Sequence, residues 1–78
     1  MELYRLEENR WGIVTRLELT GPMLRRALDL GLTEGCRVQC VLAGRRGGPG
    51  AYLIRGAVIA LRAYDAARIR VREVTADG

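Results

Sequence analysis

Short runs of alternating apolar and polar residues fill most of this chain, and glycines break them at close intervals. In residues 11–19, Ile13, Thr15, Leu17 and Leu19 alternate with Val14, Arg16 and Glu18. A period of two with β-branched residues predicts a strand. Gly12 near its start predicts a bulge or a bend there. Upstream, Leu3, Tyr4 and Leu6 predict a short opening strand, with Glu7-Glu8-Asn9-Arg10 as the turn after it.

The period changes after Thr20-Gly21-Pro22. Thr20 suits a helix N-cap and Pro22 the first turn. A helix is expected over residues 22–30, with Leu24, Ala27 and Leu28 inward and Arg25, Arg26 and Asp29 outward. Gly31 supplies a left-handed stop. So short a helix must be held by packing.

Strand periodicity then resumes. Cys36, Val38, Cys40 and Leu42 alternate with Arg37 and Gln39. Residues 44–50 form a loop carrying Arg45 and Arg46, and residues 51–55 a strand with Tyr52 and Ile54 on one face. Gly56 marks a tight turn into an almost wholly apolar strand at 57–62. Residues 63–67 make a turn or one helical turn. The last strand, 68–72, places Ile69 and Val71 inward and three arginines outward, and residues 75–78 are expected to fray. Five or so short strands and one small helix in 78 residues predict a single mainly β domain, a small barrel whose closure protects its edges.

Composition narrows the chemistry. The chain has no His, Ser, Lys or Phe. It therefore holds no Ser-His-Asp or Cys-His arrangement, no Schiff-base or P-loop lysine and no imidazole base. A binding module is favoured over an enzyme, and no cofactor is implied. Cys36 and Cys40, four apart on one strand face, stand ~13 Å from each other, too far for a disulfide. They read as reduced, inward-facing small hydrophobes, and two thiols do not make a structural zinc site within one chain. No apolar run approaches the ~20 residues of a membrane span. The first residues lack a signal-peptide pattern, so a cytoplasmic protein without membrane insertion is expected.

All thirteen positive charges are Arg, against nine acidic residues, for a net +4. Arg68, Arg70 and Arg72 could face phosphates, but Glu2, Glu7, Glu8, Glu18 and Glu73 mix the charge and stacking aromatics are few. Nucleic acid is not the favoured partner. Met23 on the helix and Leu53 on the outer face of its strand, near Arg25, Arg26, Arg45 and Arg46, suit docking on another protein. These six are the candidate partner-binding residues, and self-association is left open.

Two segments carry a family resemblance. Residues 25–38 run Arg-Arg-Ala-Leu-Asp-Leu-Gly-Leu-Thr-Glu-Gly-Cys-Arg-Val, a helix, Leu-Gly-Leu, two free positions and Gly before a strand. Later come Gly56, Ile59-Ala60-Leu61, Asp65-Ala66 and Ile69-Arg70-Val71. In order and spacing this resembles the FeoA family over about residues 12–72. Ala27 departs from it, standing where a larger apolar residue is usual, which predicts looser helix packing or a shallow groove. The resemblance implies an SH3-like β-barrel, also similar to the C-terminal domain of DtxR-type repressors. It further implies a non-enzymatic, cytoplasmic accessory protein of ferrous iron uptake. The implied partner is a FeoB-type membrane GTPase transporter. No catalytic or metal-binding residues carry over. A metal- or peptide-responsive sensor is the alternative reading, and a nucleic-acid-binding barrel a weaker one.

Overall fold

The alternating segments become five antiparallel strands in a computed structural model that describes residues 1–75. β1 (Trp11–Leu17), β2 (Arg37–Leu42), β3 (Gly50–Ile54), β4 (Ala57–Leu61) and β5 (Ile69–Val74) form one sheet, ordered β4-β3-β2-β1-β5. Helix α1 (Gly21–Asp29) joins β1 to β2, and the single-turn helix α2 (Ala63–Ala66) joins β4 to β5. The fraying expected at 76–78 lies outside the described residues.

All five strands, both helices and the opening segment contribute to one core, with Tyr52, Val14, Val38, Ile54 and Ile69 wholly or almost wholly enclosed. The opening segment is not a strand. Leu3–Arg5 is a 3-10 helix that turns Leu3 and Leu6 into the core. The segment still protects an edge: the Val71 amide donates to Met1 O (2.7 Å), and Glu2 bridges Arg70. The outer edge of β5 is thus paired by the chain's own start, while α2 spans the gap between β5 and the other outer strand, β4.

Two bulges set which side chains point inward. In the β1–β5 ladder the register shifts between Val14 and Arg16, leaving Thr15 as the extra residue. Gly12 and Val14 therefore face in before the bulge, and Leu17 and Leu19 after it. Continuous alternation grouped Ile13 and Thr15 on one face with Leu17 and Leu19 and predicted the irregularity at Gly12. Gly12 instead lies under Val71, whose Cβ sits 3.1 Å from where a Gly12 side chain would begin. In the β2–β3 ladder the shift falls between Cys40 and Leu42. Cys36, Val38 and Cys40 are buried as the alternation requires, but the bulge turns Leu42 out to 55% exposure.

The helix is rolled relative to its expected face. Ala27 is 1% exposed and at the centre of the packed side, flanked by half-buried Met23 and Leu24. Leu28, expected inward, is 46% exposed. At 100° per residue it stands that far round the axis from Ala27. The small side chain at 27 is covered. Thr20 occupies the N-cap position, yet its hydroxyl makes no capping bond; its carbonyl accepts from the Leu24 amide at 3.4 Å.

Candidate interaction surface

Residues opposite one another in a ladder project to the same side of the sheet. The pairs Trp11↔Gln39, Gln39↔Leu53 and Leu53↔Val58 thus lay one row across four strands, and Trp11↔Val74 extends it to β5. Their neighbours Gly12, Val38 and Tyr52 are buried, so this row faces away from the core. Apart from Gln39 it is apolar, and Val58 at its β4 end is 62% exposed.

Trp11 is the centre of the row. The Arg37 guanidinium lies over its ring at 4.9 Å from the centroid and donates from Nη2 to Thr75 O at 3.4 Å. On one side of this stack is an open concavity of about 440 Å³, lined by Trp11, Cys36, Arg37, Leu53 and Arg55 with Gly35 and Gly56. On the other side, a second of about 430 Å³ is lined by Asn9, Arg10, Trp11, Gln39, Val74 and Thr75. Among the described residues, no acidic side chain lines either one.

Arg55 reaches the first concavity from an unusual backbone position. It and Gly56 form the two-residue β3–β4 turn, with φ of 47° and 82°. Its Nε donates to Gly31 O at 2.9 Å, tying the hairpin to the end of α1. Gly31, at φ 87°, has the Arg55 side chain where a Cβ would stand; the positive φ requires glycine, and a side chain there would displace Arg55.

The six candidate residues do not gather into one patch. Leu53 is half-buried on the outer row and lines the first concavity. Arg25 and Arg26 are exposed on α1, whose end meets the same hairpin through Arg55. Met23 is half-buried against the core rather than openly displayed. Arg45 and Arg46 are exposed in the β2–β3 loop, at the opposite end of β3 from that hairpin. Their loop is anchored, with Tyr4 Oη donating to Gly48 O (2.9 Å) and the Gly48 amide to Arg45 O (2.8 Å). Trp11, Arg37 and Arg55 were not singled out from sequence. The signal was present in Trp11-Gly12, a large aromatic beside a residue with no side chain to bury. Reading the strand as one unbroken alternation concealed it.

The remaining chemistry is interior. Both cysteines are buried and unpaired in any disulfide, and burial, reinforced by Glu8, pushes the Cys40 thiol up from its ordinary pKa. No group of three or more Cys, Asp or Glu side chains that could hold a metal occurs among the described residues. Arg68 is drawn from the arginine face onto Tyr64, 3.4 Å from the ring centroid, with Nη1 donating to Tyr64 O at 2.8 Å. Asp65 is buried and accepts from Arg62 Nε at 3.4 Å. No helix among the described residues is long and apolar enough to cross a membrane.

Comparison with known proteins fits this architecture. The sequence model of the family described as "FeoA domain" matches residues 1–73. The chain belongs to the FeoA family. Among solved structures, the FeoA protein of Chlorobium tepidum is 26% identical with a TM-score of 0.87, the match covering 100% of this chain and 74% of that one. The Stenotrophomonas maltophilia FeoA, solved with zinc and described as a prokaryotic SH3 domain protein, is 25% identical (TM-score 0.81, covering 92% and 89%). A manganese-dependent transcriptional repressor shares the fold at 23% identity and a TM-score of 0.83, over 95% of this chain and 41% of its own. The SH3-like expectation and the likeness to repressor domains therefore both hold for this FeoA-family chain. A search of curated protein sequences returns no match.

Proposed function

We propose that this chain is a non-catalytic, cytoplasmic accessory protein of ferrous iron transport that docks on the cytoplasmic part of a FeoB-type GTPase transporter. The observation that carries the reading is the FeoA-domain match over residues 1–73. Membership of the family supports a role in ferrous iron transport, and the Stenotrophomonas relative is described as possibly acting as a ferrous iron transport activating factor. A chain without His, Ser or Lys has few means of catalysis but ample means of binding. Docking alters transport only where one transporter state is bound better than another. Met23, Arg25, Arg26, Arg45, Arg46 and Leu53 are proposed as contact positions, with Leu53, Arg25 and Arg26 on the hairpin side and the two loop arginines at the far end of β3.

The test is capture of the cognate transporter from detergent extract with this chain as bait, with and without GTP. Nucleotide-dependent capture is expected. Absence of capture in every nucleotide state, with GTP turnover unchanged by the added chain, overturns the reading.

A further inference from the structure

We propose that the outer sheet face at Trp11 takes an extended acidic segment of the partner protein, anchored by an apolar side chain. A carboxylate would meet Arg55, and the anchor would pack against Trp11 and Leu53. This rests on the docking reading above and names where and by what chemistry the partner is held.

Three observations carry it. The first is shape. Two open concavities share one wall, the Trp11 side chain. An extended chain places residues i and i+2 on the same side ~6.6 Å apart, on the scale of the indole between the two concavities. The second is charge. Among the described residues, the linings hold Arg10, Arg37 and Arg55 and no acidic side chain. Arg10 is matched by Glu73 at 3.4 Å, whereas Arg55 donates to a neutral carbonyl, Gly31 O, so the concavity on the Arg55 side is the more positive. That sets a direction, with the acidic part of the segment over the β3–β4 hairpin. Arginine's planar fork suits a carboxylate, and Arg55 is steadied by a backbone carbonyl, Gly31 O. The third is backbone conformation. A two-residue hairpin turn of this kind favours Asn-Gly or Gly-Gly, and here Arg holds the first position at φ 47°. An unfavourable residue kept at such a position points to a use for its side chain.

Trp11 is the chain's one tryptophan, so its fluorescence reports from the site itself. The probe is an acetylated and amidated peptide, Gly-Asp-Leu-Asp-Leu-Glu-Gly. Comparison peptides replace its acids with Lys or its leucines with Gly, and an eight-residue oligothymidine tests simple anion attraction. Saturable change in Trp11 fluorescence is expected. Amide shifts in a ¹⁵N spectrum should centre on Gly35, Leu53 and Gly56. Affinity should drop at least tenfold for either altered peptide, and at least fivefold for Arg55→Gln and, independently, Leu53→Gln, with a dispersed spectrum retained. The proposal is overturned by unsaturable change, by shifts confined to α1 or the Arg45–Arg46 loop, by oligothymidine binding as tightly as the peptide, or by indifference to both substitutions. In the transporter capture assay, loss with Arg55→Glu but not with Arg45→Glu supports it. Capture retained by Arg55→Glu overturns this face and leaves the docking reading intact. If the unaltered chain captures nothing, the docking reading falls, and with it the partner-segment proposal.

Discussion

Tyr52 is the largest wholly enclosed side chain, and its hydroxyl has no hydrogen-bond partner among the described residues. It lies against Gly50, whose added Cβ would come within 2.5 Å of Tyr52 Oη. A buried hydroxyl without a partner contributes nothing to offset its desolvation. Tyr52→Phe is therefore expected to leave stability unchanged or raise it by up to about 1 kcal/mol in urea unfolding. Burial, with smaller contributions from Cys40 and Tyr4, pushes the phenol's pKa up to about 12. An unfolded tyrosine titrates near ~10. Below that pH the phenol is neutral in both states and its contribution is intact; from about 10 to about 12 only the unfolded chain ionises readily, and stability is lost. The urea midpoint should fall more steeply over that window in the unaltered protein than in Tyr52→Phe. Gly50→Ala should cost about 1–3 kcal/mol by overpacking. In a double-mutant cycle Tyr52→Phe should restore only part of it, because Tyr52 Cζ and Cε2 stay within 3.0 Å of the added carbon.

At the scale of elements, α1 and the hairpin beside it decide how the outer face is framed. Gly31→Ala should destabilise by about 1–3 kcal/mol, since it strains a positive φ and drives Arg55 off Gly31 O. The rolled helix gives a sharper contrast. Ala27→Leu should cost about 1–3 kcal/mol although leucine is the better hydrophobe, while Leu28→Gln should change stability by no more than about 0.5 kcal/mol. Thermal melts of the two variants check the orientation directly. These elements also show what sequence could and could not yield. Helix limits, the Gly31 stop and the inward Ile69 and Val71 were legible because each is a local property. The faces of β1 and α1 were not. One extra residue, Thr15 or Val41, reverses an alternation without leaving a mark of its own. Leu42 was misplaced for that reason, and Ile13 and Thr15 were grouped with Leu17 and Leu19. Leu28 was misplaced because a nine-residue helix carries too few apolar positions to fix its own roll.

For the molecule as a whole, the first long strand is an interior one. β1 lies between β2 and β5, so residues from near the start of the chain pair with residues 69–74. Pairings this distant in sequence slow folding, because the loop must close before they form. During synthesis β1, α1 and the β2–β3–β4 meander leave the ribosome while one side of β1 still lacks its partner. A nascent chain halted at residue 68 is expected to be open to protease and to become resistant once residue 74 has emerged, which pulse proteolysis of stalled chains would show. The same open flank of β1 runs beside Trp11, so the interaction face would be completed only with the last strand. A partner that reads that face would then select folded domains over growing ones.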